Sequence, residues 1–276
     1  MIIPTYNHQD VIGETLNALT KQTYNNIEFV ISDDCSNDNT WNVIQAYIPK
    51  LEKLGKVFAH KQDRNLGICE NYNYLFSCVH GDIVVINEGD DVSMPDRIVK
   101  VVNYFFENPR LVLLQSSYIL YKDDEYFEVS DKNLAGKYSI TNYKYGKIPS
   151  FAGCAMGFRY ELISNFPQFD NKTPWVDDAL GRRALLLGEF MQVDDKLLLY
   201  RIWDKNTSSD GMGRGIKRLR FLQQDFKDIR YAYKNGIIQL SDFIRIRMVV
   251  LREMAITMLN TCVIYRKLRN LIKNKD

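Results

Sequence analysis

The 276-residue sequence lacks any C-x-x-C pair, and its five cysteines (Cys35, Cys69, Cys78, Cys154 and Cys262) are odd in number. Neither a zinc knuckle nor a disulfide framework is expected from that pattern, and reduced thiols fit the cytosol. The three histidines, His8, His60 and His80, are scattered and match no metal-ligand spacing. No run of about 18 uncharged apolar residues occurs. Residues 248–265 come nearest, but Arg252 and Glu253 interrupt them. The chain does not open on a basic segment followed by a long apolar stretch, so no signal peptide is read. Charge of one sign is also missing, because 36 Lys and Arg face 34 Asp and Glu for a net charge of +2. With no global positive excess to neutralise phosphates, nucleic acid is not an expected partner. What remains is an ordinary balance, 46% apolar and 25% charged. It suits one large or two small domains with an ample core.

Apolar spacing organises the first third into alternating short strands and helices. Residues 1–3, 27–32, 56–60, 82–87 and 111–115 read as strands. Between them, Val11, Ile12, Thr15, Leu16 and Leu19 share a helix face, as do Ile44, Tyr47, Ile48 and Leu51, and then Ile68, Tyr72, Leu75, Phe76 and Val79. Pro49 is expected to kink or shorten the second helix, and Pro95 to open a fourth over residues 95–106. This β-α-β-α series predicts an α/β fold with a mostly parallel sheet covered on both faces. Such sheets bind ligands at the carboxyl ends of their strands, where strand order switches. Two strands run straight into carboxylates there, Asp33-Asp34 and Glu88-Gly89-Asp90-Asp91. Acidic loops on one rim repel each other, and a bound cation would relieve that. Residues 116–207 are less regular, with a small-residue stretch at 151–157, a helix opening near Trp175 and a strand near 197–202. From about Gly211 the pattern is helical to the end. The first strand is short for such a fold, so the natural start is expected upstream of Met1.

Read in order, the motifs are Pro4-Thr5-Tyr6-Asn7, then Asp33-Asp34-Cys35-Ser36, Asn65-Leu66-Gly67, Glu88-Gly89-Asp90-Asp91 before Met94-Pro95-Asp96-Arg97, Asp177-Asp178 ahead of Arg183 and Gly188, and Tyr200-Arg201-Ile202-Trp203 with Asn206 and Ser208 beyond. This series resembles the family 2 glycosyltransferases, which have the GT-A fold, over residues 1–209. The resemblance implies inverting transfer of a sugar from a nucleotide diphosphate donor, a UDP-sugar being favoured, to a hydroxyl of a glycan or polyprenyl-linked acceptor. It implies a nucleotide-binding half, residues 1–115, an acceptor and catalytic half, residues 116–209, and a helical extension, residues 210–276.

By the same resemblance, Pro4, Thr5, Tyr6, Asn7, Asp33, Asp34, Arg64, Asn65, Gly67, Glu88, Gly89 and Asp90 line the donor nucleotide. Asp90 would bind Mn2+ or Mg2+ on the diphosphate. Asp177 would be the general base, with Asp178 its alternate. Residues 153–157 and Arg159 would line the donor sugar; the alternative is a packed core strand. Three positions depart from the family pattern: Cys35 stands where Gly is usual, Glu88 where Asp is, and Trp203 where His is. Asp33, Asp34 and Ser36 have a plainer reading as caps of the next helix, and Asp177 as helix-start charge complementarity.

Between residues 214 and 276 there are 15 Lys and Arg against 5 Asp and Glu. Arg245, Arg252, Arg266 and Lys273 fall seven apart or in multiples of seven, as do Leu251, Met258, Tyr265 and Ile272, so each set shares a helix face. The expected alternatives are peripheral contact with the cytoplasmic face of the inner membrane, packing on the catalytic domain, and homodimerisation. The expected setting is cytoplasmic synthesis of a bacterial surface glycan such as O-antigen or capsule. Two rival functions are carried forward: a relative that binds nucleotide-sugar or glycan without turnover, and a sugar-1-phosphate nucleotidyltransferase. The second is disfavoured because the Pro4-Thr5-Tyr6-Asn7 turn lacks glycines and bases.

Overall fold

The computed structural model describes residues 1–122, 125–128, 135–203 and 214–273. In chain order the elements are β1 (Ile2–Thr5), α1 (Ile12–Leu19), β2 (Ile27–Asp33), α2 (Thr40–Leu51), β3 (Gly55–Lys61), α3 (Ile68–Cys78), β4 (Ile83–Val85), β5 (Val92–Ser93), α4 (Arg97–Glu107) and β6 (Leu111–Lys122). They continue as β7 (Glu125–Glu128), β8 (Gly136–Tyr138), α5 (Ile140–Lys144), a 3-10 turn at Gly153–Ala155, β9 (Met156–Arg159), α6 (Glu161–Ser164), α7 (Val176–Leu187), β10 (Glu189–Arg201), α8 (Arg214–Lys234) and α9 (Leu240–Lys273).

The first three strands pair in parallel in the order β1-β2-β3. β1 and β2 are buried on both faces, so their sequences read as continuous apolar runs, whereas edge strand β3 alternates. After β3 the chain crosses back through α3, and β4 arrives beside β1, marked by a parallel bridge between Ile2 and Ile86. The strand order therefore reverses between β1 and β4. Beyond β4 the sheet is mixed: β9 lies antiparallel between β4 and β6, while β10 runs parallel to β6.

Two apolar cores flank the sheet. One joins Ile12, Leu16, Ile44, Ile98, Val101 and Phe105 to β1, β2 and β6. The other joins Leu75, Phe158, Leu180, Ala184 and Phe190 to Phe221, Leu222, Ile229, Ile246 and Val250 of α8 and α9. The segment expected as a helical extension thus shares a core with α7. Polar bonds fasten the same contact. Arg183 makes a two-pronged ion pair with Asp228 (2.8 and 2.9 Å), and Arg182 reaches Asp225 (2.6 Å) and Glu253 (2.9 Å).

Several boundaries differ from the sequence expectation. α2 runs through Pro49 and ends two residues later. β6 and β10 extend far beyond 111–115 and 197–202. β10 carries Asp194-Asp195-Lys196, which mimics a turn, across a register shift between Gln192 and Lys196. Asn206 and Ser208 lie outside the described residues.

Candidate active site

The turn after β1 and the turn after β2 are locked together. Asn7 N–H donates to Ser36 Oγ (2.8 Å), Asn37 N–H donates to Asn7 Oδ1 (2.9 Å), and Asp34 N–H donates to Thr5 O (2.9 Å). Asn7 and Cys35 both have left-handed backbone, at φ 54° and 62°. Cys35 therefore adopts the conformation that Gly would take without strain.

The loop after β4 closes against the same turn. Asn87 N–H donates to Ile2 O and Gly89 N–H to Pro4 O, each at 3.0 Å. A Cβ at Gly89 would stand 2.6 Å from Thr5 Oγ1 and His8 Nδ1, so only glycine permits this approach. The donor-side motifs thus meet at the point where strand order reverses, where α/β sheets bind ligands.

Asp33 ends β2 fully buried. Its Oδ1 accepts from Ser36 N–H (3.1 Å) and, in a short bond, from Ser36 Oγ–H. Its Oδ2 is buried with no hydrogen-bond partner among the described residues, an arrangement that costs free energy unless a ligand donates to it. Asp34 uses both oxygens on the next loop, accepting from Leu66 N–H (2.6 Å) and Gly67 N–H (2.9 Å). Neither carboxylate caps α2, so the plainer reading fails. Gly67, at φ 82°, opens α3. Arg64 and Asn65 are exposed on that loop, Arg64 lying 3.9 Å from Glu70. Tyr6 is exposed at the rim.

Glu88 forms a short bond from the hydroxyl of buried Tyr72. Burial, with the charges of Asp90 and Asp177 adding to it, pushes its carboxyl up to about 8. Burial also holds the Asp91 carboxyl well above its usual range, with Asp90 as the next cause. Asp91 Oδ1 accepts from Arg201 N–H (3.1 Å), while its Oδ2 has no partner among the described residues. Arg201 also donates from Nε to Asp90 O (3.0 Å) and pairs with Glu14, so it braces the acidic loop. Asp90 Oδ2 accepts from Trp203 Nε1 (2.9 Å).

Asp177 lies in the first turn of α7 against the Gly153–Ala155 turn, where a Cβ on Gly153 would lie 3.3 Å from its own Cβ. Burial, then the charge of Asp178, raises its carboxyl to about 6, against the pull of N–H donors that include Asp178 and Gly153. Desolvation therefore outweighs the helix N-terminus at this group. Asp178 is also raised by burial, and the charges of Arg182 and Arg218 oppose that. Of the small-residue stretch, Gly153 belongs to this site. Gly157 lies in β9, where a Cβ would meet Val101 at 2.7 Å, and serves core packing.

Four residues act here that the sequence reading did not single out for the site. Tyr72 was counted only as an apolar helix position. Asn87 donates to Glu88 O (2.9 Å) and Asp91 O (3.2 Å). Buried Arg97 ties Asn87, Ser93, Ile86 O (2.8 Å) and Cys154 O (2.6 Å) together. His8, set aside for its spacing, hydrogen-bonds Thr5 Oγ1 (3.1 Å) and lies 5.5 Å from the Trp203 ring. Its signal was its place one residue after Asn7.

No group of three His, Cys, Asp or Glu able to hold a metal ion occurs among the described residues. The carboxylates of the residue 88–91 loop are oxygen donors in an acidic surround. They fit a hard cation that arrives bound to diphosphate oxygens, and do not make a cage for a resident ion.

An α/β sheet with loops converging at its switch point has the usual place for a bound ligand. The profile of Glycosyl transferase family 2 matches residues 1–166, and the chain belongs to that family. Among curated relatives, "Glycosyltransferase GlyG" of Streptococcus pneumoniae is 25% identical over 212 residues, covering 73% of this chain and 69% of its own. An "Uncharacterized glycosyltransferase" of Haemophilus influenzae is 30% identical over 116 residues, 42% of this chain and 35% of its own. The chain spans about a third of the length of that relative. Among solved structures, S. aureus TarS 1–349 in complex with UDP-GlcNAc aligns at TM-score 0.67 and 19% identity, covering 88% of this chain and 70% of that one. The mannosyltransferase PcManGT from Pyrobaculum calidifontis, in complex with GDP-Man and Mn2+, aligns at 0.58 and 17%, covering 95% and 74%. These alignments carry the GT-A fold.

Proposed function

We propose that this chain is an inverting glycosyltransferase. It takes a sugar from a nucleoside diphosphate donor, UDP-linked in the favoured case, to a hydroxyl of a glycan or polyprenyl-linked acceptor in bacterial surface-glycan synthesis on the cytoplasmic side. One observation supports the reading: the residue 88–91 loop is hydrogen-bonded to the end of β1 beside Asp33, and Arg97 ties Asn87 at the head of that loop to Cys154 in the turn that packs on Asp177. The names of several relatives support the setting, among them the E. coli glucosyltransferase WfaP, whose acceptor is a GlcNAc-diphosphoundecaprenol, over 45% of this chain and 47% of its own.

Asp33 Oδ2 and the Thr5 hydroxyl receive donors from the base and ribose. Asp90 would hold a divalent cation on the diphosphate, which when bound would offset negative charge on the leaving group. Asp177 accepts the proton of the acceptor hydroxyl as that oxygen attacks the anomeric carbon in line. The bond from that carbon to the diphosphate oxygen breaks, and its electron pair leaves with the nucleotide. A carboxyl raised to about 6 is more basic than an exposed aspartate and still ionised at pH 7. Asp178, whose charge is offset by Arg182 and Arg218, is the weaker claimant.

The test is a panel of nucleotide-sugars, scored for nucleotide release with and without Mn2+. A metal-dependent rate with one donor is expected, lost in Asp90→Asn. Binding of UDP and Mn2+ with no release for any donor and acceptor would favour the relative without turnover. Full activity in Asp177→Asn, with loss in Asp178→Asn, would move the base by one residue.

A further inference from the structure

α9 has two apolar faces, and its core accounts for only one. Ile246 and Val250 are buried in the core, with Phe243 and Met254 packed beside them. On the opposite side Leu240, Ile244, Met248, Leu251, Met258 and Leu259 are 49–67% exposed. At about 100° per residue these six, with Ala255 among them, fall within an arc of roughly 100°. From Leu240 to Leu259 the stripe is about 28 Å long. An uncovered stripe of that length marks an interaction surface.

Charge identifies the occupant. Arg245 and Arg252 border the stripe on one side, and both are exposed. Arg247 borders it on the other, lying over the Phe226 and Phe243 rings at 4.6 and 5.1 Å. The two acids of residues 240–261 point elsewhere. Asp242 pairs with Lys144 (2.9 Å), and Glu253 with Arg182 (2.9 Å) and Arg218 (2.6 Å). The uncovered face therefore carries apolar groups and positive charge with no acid between them. A second copy docked on this stripe would set arginine against arginine whether the helices ran parallel or antiparallel. A surface of anionic lipid headgroups complements both features at once.

We propose that α9 lies on an anionic membrane, its exposed stripe in the headgroup–acyl boundary and its arginines on lipid phosphates. This rests on, and deepens, the reading of a lipid-linked acceptor. Glu253, on a different face of α9 from the stripe, pairs with Arg182 of α7, the helix that carries Asp177 in its first turn. The contact would hold the base-bearing end of α7 close to the lipid surface. No described helix is long and apolar enough to cross the bilayer, which agrees with a helix lying in the interface.

The experiment is flotation of the full-length chain with vesicles of phosphatidylcholine alone or with 30% phosphatidylglycerol, alongside sedimentation velocity without lipid. Binding is expected only to the anionic vesicles and should weaken as salt rises. Arg245→Gln with Arg252→Gln should lower the partition about thirtyfold. Leu251→Asn with Met258→Asn should lower it about tenfold or more, with circular dichroism and soluble-donor hydrolysis unchanged. Equal binding to both vesicle types, no binding by a folded chain, or a dimer that these Asn substitutions dissociate would each overturn the proposal. Flotation scores the membrane contact apart from turnover. An active enzyme that fails to float refutes the surface alone, and a floating chain without transferase activity refutes the catalytic reading alone.

Discussion

Replacing Glu88 with Gln tests the electrostatics of the site without disturbing its shape. Gln is an isostere of the protonated carboxyl, and its amide oxygen still accepts from Tyr72. In the folded protein burial and neighbouring charges raise the Glu88 carboxyl from 4.5 to about 8. A raised folded-state value means that stability is fully present below pH 4.5 and is lost as pH climbs through 8. Between pH 5 and pH 8 that loss is about 3 kcal/mol, from 1.36 kcal/mol per unit over the interval in which only the unfolded chain has ionised. Wild type and Glu88→Gln should therefore unfold at similar urea concentrations at pH 5, whereas at pH 8 the variant should be more stable by about 3 kcal/mol. The measurement is a pair of urea titrations with divalent metal chelated, because a bound cation would favour the ionised form. An equal difference at the two pH values, or a variant less stable at pH 8, would refute a half-buried and crowded Glu88.

Three further outcomes follow from other parts of the molecule. The acid limb of kcat/KM should fall with an apparent pKa near 6, the value to which burial raises Asp177, and Asp177→Asn should lower kcat by a factor on the order of a hundred to ten thousand. Arg183→Ala leaves Asp228 buried without its two-pronged partner, so urea unfolding should show a loss of about 3 kcal/mol or more. Cys35→Gly removes a side chain from a left-handed position. It should stabilise the fold by about 1 kcal/mol, read as a higher unfolding midpoint with unchanged slope.

The first half of the chain was legible because its signals are local. β1 and β2 are buried on both faces and announce themselves as apolar runs, and the acidic residues at the ends of β2 and β4 need only strand direction to reach one rim. The second half hid its strands. β9 is four residues of Met-Gly-Phe-Arg whose pairing with β4 and β6 depends on chain far away, and β10 conceals acidic residues at a bulge. The supporting side chains were hidden for the same reason. Arg97 was visible as part of Met94-Pro95-Asp96-Arg97, yet its bonds to Ile86 and Cys154 carbonyls span long stretches of sequence. Periodicity showed the C-terminal helices but not their attachment. The pairs Arg183–Asp228 and Arg182–Asp225 reveal α7 and α8 as partners only once the chain has folded.

The most direct test of a single acidic site is calorimetric titration with UDP in the presence of Mn2+, on wild type and on Asp33→Asn, Asp90→Asn and Asp177→Asn. Affinity should drop about tenfold or more in the first two variants and stay near wild type in the third, which should nonetheless release nucleotide from the donor about a hundredfold or more slowly. Wild-type affinity in both Asp33→Asn and Asp90→Asn would contradict the account, because it would mean that these carboxylates do not meet around one nucleotide.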